Sequence, residues 1–198
     1  MPYFHACTYG IYARDNSNVR LNQPNRFTSI TGAAVSIDTH SILVADGVSG
    51  STGSSLEVKN ANIGVFGRSA KIFLGNARFK DCSFGTLVKE STYFNISNST
   101  YDFYGSPTAN AAGVVMDMGC IGSVYGISIT GYVSATGSLT GATFKVVNQS
   151  TLFVDATGTA ALANTTPYGT VLVDTSRGTN AGGLVPTNTN QIPPTIES

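Results

Sequence analysis

The amino-acid sequence predicts an all-β protein with almost no helix. Gly, Ser, Thr and Asn, which weaken helix interiors, are abundant in the 198-residue chain, and 22 of its residues are glycine. Charged residues make up only 11% of the chain, whereas hydrophobic residues make up 41%, which is enough to bury a core. A short pattern with the alternation of a strand also recurs along the chain. Together these observations favour a fold built from repeated short strands.

The recurring pattern has seven positions and occurs five times. Its first position is polar, its second is Asn, Thr or Asp, and its fifth is a large apolar or aromatic residue. The fifth and seventh positions alternate as expected for a strand with one buried face. The five copies are DNSNVRL (Asp15 to Leu21), DTHSILV (Asp38 to Val44), KNANIGV (Lys59 to Val65), KDCSFGT (Lys80 to Thr86) and SNSTYDF (Ser97 to Phe103).

The spacing of these copies predicts a parallel β-helix. Successive copies begin 17 to 23 residues apart, a period typical of a solenoid whose turns stack on one another. The second positions are predicted to form one column of corners that passes hydrogen bonds between turns, and they are Asn16, Thr39, Asn60, Asp81 and Asn98. The fifth positions are predicted to stack in the core, and they are Val19, Ile42, Ile63, Phe84 and Tyr101. Ile63 and Phe84 in particular are expected to be buried neighbours.

The chain divides into three predicted parts. Residues 1–105 hold the clearest turns of the β-helix. Residues 106–179 continue the β-helix or form a small β-rich domain, because LFVDATGT (Leu152 to Thr159) and VLVDTSRGT (Val171 to Thr179) match at an offset of 19. Residues 180–198 have no periodicity and contain three prolines, so they are expected to form an extended C-terminal tail.

Charge and composition argue against several functions. The 11 basic residues equal the 11 acidic ones and do not cluster, so nucleic acid is not an expected partner. No apolar stretch is long enough for membrane insertion, and the start MPYFHACTYG lacks the features of a secretion signal. The three cysteines are far apart and are expected to be buried free thiols. We expect no cofactor and no metal site.

The turns GIYARDNSNVRL and GAAVSIDTHSILVADG resemble the right-handed parallel β-helix of bacteriophage tailspikes and tail fibres. They share its sparse charge and its corners rich in Gly, Ser, Thr and Asn. The resemblance implies a protein of the phage virion, a homotrimer that recognises a bacterial surface polysaccharide. Some members of the family also cleave that polysaccharide. Pectate-lyase-like enzymes and secreted bacterial adhesins have solenoids of the same kind.

Two pairs of residues are candidates for a site. Asp15 and Asp38 share the first position of the pattern, so they would lie one turn apart, near the ~5 to 5.5 Å separation of the two carboxyl groups in retaining glycosidases. The alternative, which we favour, is that both are solvated corner residues. Tyr93 and Tyr104 fall outside the two predicted core columns and are candidates for stacking against sugar rings. Packing at the surface or between subunits is the alternative for these tyrosines.

Three functions follow from these expectations. The first is a structural and receptor-recognition segment of a tail fibre or tailspike, without catalysis in this chain. The second is a polysaccharide depolymerase, a lyase or a glycoside hydrolase, on the same β-helix. The third is a secreted adhesin at the bacterial surface, which an export signal in the full-length gene would indicate.

Overall fold

The computed structural model describes residues 2–47, 53–102, 112–130, 142–146, 148–155, 163–165, 170–174 and 196–197. All regular elements among them are β-strands. In chain order they are β1 (Tyr3–His5), β2 (Tyr9–Ala13), β3 (Asn18–Arg20), β4 (Asn25–Asp38), β5 (Ile42–Ala45), β6 (Leu56–Arg68), β7 (Lys71–Gly75), β8 (Arg78–Lys80), β9 (Phe84–Lys89), β10 (Tyr93–Ser97), β11 (Thr100–Asp102), β12 (Ala112–Asp117), β13 (Ile121–Tyr125), β14 (Ser128–Thr130), β15 (Ala142–Val146), β16 (Thr151–Asp155), β17 (Ala163–Thr165), β18 (Thr170–Asp174) and β19 (Ile196–Glu197). The expectation of an all-β, helix-poor chain is confirmed for the described residues.

All described strand pairs are parallel, and most strands pair with one strand from earlier and one from later in the chain. The strands form two sheets. The smaller sheet has the order β3-β5-β7-β10-β13-β16-β18-β19, which follows the chain from one end to the other. The larger sheet contains the remaining eleven strands. Because neighbouring strands in each sheet are parallel, the polypeptide must return to the starting end of the sheet before it forms the next strand.

A column of left-handed backbone residues bends the larger sheet into two ladders. The column consists of Ala6, Ser29, Asn60 and Asp81, each with φ between 52° and 57°. The first ladder contains β1, the segments 25–30 and 56–61 of the long strands, β8, β11 and β14. The second ladder contains β2, the segments 33–38 and 63–68, β9, β12, β15 and β17. We call the smaller sheet the third ladder.

Two more columns of left-handed residues separate the other ladders. Between the second and third ladders they include Asp15, Asn16, Thr39, His40, Ser69, Glu90, Ser91, Met118, Gly119, Asn148 and Gln149. Between the third and first ladders they are Gly47, Asn76, Asn98 and Gly126. Non-glycine residues rarely adopt this conformation, and Asn and Asp do so at the lowest cost. This preference explains why Asn recurs at the bends.

We call one succession of a first-, a second- and a third-ladder strand a pass of the chain. Buried hydroxyl groups just after the bends link one pass to the next. The Ser41 hydroxyl accepts a hydrogen bond from the N–H of Ser17 at 3.0 Å, and the Ser99 hydroxyl accepts one from the N–H of Ala77 at 3.1 Å. Both serines are 0% exposed. Hydrogen bonds between turns therefore occur at the bends, but these two are accepted by serine hydroxyl groups that follow the left-handed residues, whereas the prediction assigned them to the column of second positions.

The predicted corner residues are correct individually, but their single column is wrong. All five have positive φ. However, Asn16 and Thr39 lie at the bend before the third ladder, Asn60 and Asp81 at the bend before the second, and Asn98 at the bend before the first. Since most bends place a left-handed residue next to an alternating strand, the five aligned segments came from bends between different ladders.

The spacing of equivalent residues is correspondingly wider than the predicted 17 to 23 residues. Ile63 pairs with Phe84, 21 positions later, but Asn25 pairs with Leu56, 31 positions later. The extra residues of some passes lie partly in segments outside the described residues, such as 48–52. The predicted offset of 19 is confirmed, because Leu152 pairs with Val171 along β16 and β18.

The core lies between the ladders and includes a column of aromatic side chains. In the first ladder Phe4, Phe27, Val58, Phe79 and Tyr101 lie one above another. The rings of Phe4 and Phe27 stack with centroids 4.6 Å apart, and those of Phe79 and Tyr101 with centroids 4.9 Å apart. Apolar area that one pass cannot bury alone is thus covered by the next pass.

The predicted core column is only partly correct. Ile63 and Phe84 are paired neighbours as expected, but both are half-buried and lie on the outer side of the second ladder. Val19 is level with Leu43 rather than with Ile42. Of the five predicted core residues, only Tyr101 is fully buried. A slip of one residue moves a side chain to the opposite face of a strand, which explains the error.

Candidate functional site

The outer side of the first ladder is charged, and most of its charges lie in ion pairs. Arg26 donates to Glu57 with Nε and Oε2 2.8 Å apart, and Arg78 approaches the same carboxylate at 3.9 Å. Lys80 lies 3.7 Å from Asp102. These ion pairs offset much of the field that would attract a charged polymer to this side.

The outer side of the third ladder exposes apolar and aromatic side chains. Tyr93, Ile121, Tyr125 and Phe153 are 43 to 52% exposed. The ring of Tyr93 lies 6.0 Å from that of Phe73, at an interplanar angle of 55°. Tyr93 is thus exposed outside the core, as the sequence predicts for a sugar-stacking candidate. The second candidate, Tyr104, lies outside the described residues.

The outer side of the second ladder carries a groove of about 330 Å³. One wall is formed by Tyr9 and Tyr12 of β2, whose ring centroids are 5.9 Å apart. The opposite wall is formed by Ile63 and Phe66 of β6. Its size is near the lower end of the ~300 to 1,000 Å³ usual for small-ligand sites. We call it the second-ladder groove.

Residue size in three successive passes creates this groove. In one row Tyr12 pairs with Ser36, and Ser36 pairs with Phe66. In the other row Tyr9 pairs with Ala33, which pairs with Ile63. Neighbouring strands are about 4.8 Å apart, so the two walls stand on backbones separated by about 9.6 Å. Large, small and large side chains across three strands therefore leave a trough with aromatic walls.

An ion pair closes one end of the second-ladder groove. The carboxylate of Asp38, which is 7% exposed, accepts hydrogen bonds from Arg68 Nε at 2.9 Å and from the backbone N–H of Thr39 at 2.8 Å. A second bond runs from Arg68 Nη2 to the other carboxylate oxygen. The two parallel bonds fix the plane of the guanidinium group.

Hydrogen bonding by Arg68, followed by that of the Thr39 backbone, holds the pKa of Asp38 below its ordinary value, although burial opposes the shift. The same pair raises the pKa of Arg68. Asp38 is therefore an anion whose oxygens are already occupied. Arg68 is half-exposed and keeps further N–H groups for a ligand in the groove. Chemically, Asp38 positions Arg68 as a hydrogen-bond donor.

The two aspartates predicted as a carboxylate pair occupy different environments. Asp15 is exposed and forms an ion pair with Arg14 at 3.2 Å. The backbone N–H of Asn16 donates to the carbonyl of Thr39, which places Asp15 level with Thr39 rather than with Asp38. Asp38 instead lies opposite Arg68 in the paired strands. Thus each carboxylate is next to an arginine, and the two do not share a row.

The sequence pattern did not predict that the residues lining the second-ladder groove lie together. Tyr12, Ser36 and Phe66 are separated by 24 and then 30 positions, whereas the recognised pattern repeats every 17 to 23. Only the correct register brings the large, small and large residues into one row. The available signal was the unusual number of small residues in GAAVS (Gly32 to Ser36), between one segment with Tyr9 and Tyr12 and another with Phe66.

The described residues contain no group of three or more His, Cys, Asp and Glu side chains that could hold a metal ion. No helix with the length and apolar character needed to cross a bilayer occurs among the same residues. Of the three free cysteines, Cys82 and Cys120 are buried as predicted, while Cys7 is half-buried. Comparison with protein-family models, curated proteins and solved structures finds no match to this chain.

Proposed function

We propose that the three ladders close around a common core into a parallel β-helix. From β1 to β16 the ladders recur in the same order along the chain, and left-handed residues lie at most of the described bends between them. Side chains from all three ladders, including Val65, Phe79 and Ile96, belong to one cluster of buried residues. These observations support closure because a chain that repeatedly passes from the third ladder back to the first must encircle the core.

We further propose that this β-helix is a structural and receptor-recognition segment of a phage tail fibre or tailspike in the virion. The bound receptor would be a bacterial surface polysaccharide. The second-ladder groove is the observation that carries this proposal. Its walls offer the faces of Tyr12 and Phe66 for stacking on a sugar ring, and Arg68 offers N–H donors to hydroxyl groups.

The proposed polysaccharide fits the surface chemistry in a second respect. The chain has no net charge, and its outer faces combine paired charges with Asn, Ser, Thr and aromatic residues. Such groups exchange hydrogen bonds with hydroxyls without the large desolvation cost of unpaired charges. Tyr93 on the third ladder would provide a further contact for a long glycan.

Binding to panels of capsular polysaccharide and lipopolysaccharide tests this proposal. We expect the intact protein to bind at least one glycan, and Tyr12→Ala to weaken that binding by about tenfold or more, equivalent to ~1.4 kcal/mol. Weaker glycan binding by Tyr93→Ala would show that the outer side of the third ladder also contacts the glycan. Tyr3→Ala, which removes an exposed tyrosine from the first ladder, is the matched control and should bind normally.

The alternatives give distinct results in the same assay. Release of oligosaccharide by the isolated protein would replace the non-catalytic proposal with the depolymerase. Absence of binding to every bacterial glycan would contradict recognition and leave a stalk or spacer. An export signal in the full-length gene would favour the secreted adhesin.

The working unit is proposed to be a homotrimer whose subunits lie side by side. The exposed apolar patch of the third ladder, with Ile121, Tyr125 and Phe153, is a surface that such packing would cover. Mass measured by light scattering tests the trimer independently of glycan binding. A protein that stays monomeric at micromolar concentration would contradict it.

A further inference from the structure

The charges at the closed end of the second-ladder groove offset one another, with acidic groups in excess. Arg68 is held by the carboxylate of Asp38, and its Nε also lies 4.0 Å from a carboxylate oxygen of Glu90. Next to Arg68 in the paired strands, Lys89 lies 4.0 Å from the carboxylate of Asp117. This cluster contains three carboxylates and two cationic groups, and each cationic group already has an acidic partner.

The pair of Asp38 and Arg68 is the fixed part of this cluster. Both carboxylate oxygens of the buried Asp38 accept hydrogen bonds from Arg68, so the guanidinium group cannot turn to present its Nε side to a ligand. The remaining N–H groups of Arg68 can donate to a ligand, but Asp38 offsets the charge behind them. An acidic group of a ligand would therefore meet little net attraction from Arg68, and the carboxylate of Glu90 would repel it.

The rest of the groove is uncharged. Among the described residues that line it, all except Asp38 and Arg68 are neutral. The exposed amide of Asn62 offers both a donor and an acceptor. A sugar hydroxyl group also donates and accepts, so it can use both. An ionised carboxylate or phosphate only accepts, and it would lose hydration beside the rings of Tyr12 and Phe66.

We propose that the second-ladder groove selects a neutral sugar residue and discriminates against sugars that carry a carboxylate or phosphate group. The proposal rests on the glycan recognition proposed above and narrows its ligand to one chemical class. The aromatic walls and the N–H groups of Arg68 bind the sugar ring and its hydroxyl groups. Asp38 and Glu90 determine specificity, because their negative charge offsets that of Arg68.

The glycan identified by the polysaccharide panels is the first test. We expect the bound glycan to consist of neutral sugars at the site of contact. An acidic glycan can be converted to its neutral form by reduction of the uronic acid carboxyl groups. An acidic glycan that binds more tightly than its carboxyl-reduced form would overturn this inference and leave glycan recognition intact. If no glycan binds, the proposed function fails and this inference fails with it.

Charge variants assign the selectivity to the groove. Oxidation of the primary hydroxyl groups of the bound neutral glycan introduces carboxylates, and it should weaken binding about tenfold at low ionic strength. Glu90→Gln removes an exposed carboxylate near Arg68 and should reduce that loss. Glu57→Gln is the matched control, because it makes the same change in net charge on the first ladder and should leave the loss unchanged. Equal losses in the wild type and Glu90→Gln would overturn the proposal.

Ionic strength provides a test that needs no variant. Binding of the neutral glycan should be the same at low and high salt, because the ligand carries no charge to be screened. Binding of the oxidised glycan should be weakest at low salt and recover as salt screens the repulsion. Tighter binding of the oxidised glycan at low salt than at high salt would show net attraction and would overturn the proposal.

Discussion

Replacing Phe79 or Phe84 by alanine distinguishes the inside of the ladders from the outside. The two residues are five positions apart. Phe79 is 1% exposed, and its ring stacks on Tyr101 at 4.9 Å. Removing it leaves a cavity that a rigid aromatic column cannot close, so we expect a cost of about 3 to 5 kcal/mol in the free energy of unfolding. Phe84 is half-buried on the outer side, where less apolar area leaves water, and its loss should cost about 1 to 2 kcal/mol.

Thermal unfolding followed by circular dichroism measures this difference. For a chain of this length 1 kcal/mol corresponds to roughly 2 to 4 °C in Tm. We therefore expect Phe79→Ala to lower Tm by about 10 °C and Phe84→Ala by only a few degrees. If Phe84→Ala is as damaging as Phe79→Ala, the register that places Phe84 outside is wrong. An unchanged Tm for Phe79→Ala would contradict the burial of Phe79 in the aromatic column.

Three further predictions concern packing, reactivity and pH. A Cβ at Gly85 would collide with the ring of Tyr101, so Gly85→Ala should lower the free energy of unfolding by about 1 to 3 kcal/mol, as is typical of overpacking, and a wild-type Tm would contradict this close approach. Burial raises the pKa of the Cys82 thiol to about 12, so a maleimide at mildly alkaline pH should label half-buried Cys7 much faster, and equal rates would contradict the burial. The pKa of Asp38 is lower in the folded protein than its ordinary value of 3.8, so the ionised carboxylate stabilises the fold at pH values above 3.8. This stabilisation disappears as the pH falls through the folded-state pKa. The Tm difference between the wild type and Asp38→Asn should therefore be largest near neutral pH and shrink in acid, and a difference independent of pH would contradict the ion pair.

The bends could be predicted from the sequence because their cause is local. Asn tolerates a positive φ better than most other residues. Asn16, Asn60 and Asn98 can therefore be recognised as bend residues without knowledge of the strands that pair next to them. The offset of 19 between Leu152 and Val171 was also readable, since both segments place two large apolar residues before the same Val-Asp pair and small polar residues after it. Local chemistry and close similarity therefore gave correct positions.

The register between passes could not be predicted because it depends on distant pairing. Three bends per pass have similar sequences, and passes differ in length, so one overlay aligned residues from different ladders. The consequence was greatest for the candidate site. Asp15 and Asp38 shared a position in the pattern but not in the sheet, and Arg68, which holds Asp38, was not among the candidates. The second-ladder groove depends on that register throughout.

The groove between β2 and β6 has a width that changes only in whole strand spacings. Its walls, Tyr12 and Phe66, stand on two strands separated by one strand of small residues around Ser36. Duplication of the pass that contains Ser36 would separate the same walls by about 4.8 Å more and would leave their orientation unchanged. Its deletion would bring them into contact and abolish the trough. Substitutions within a pass alter the chemistry of the groove, whereas gain or loss of a pass alters the length of ligand that spans it.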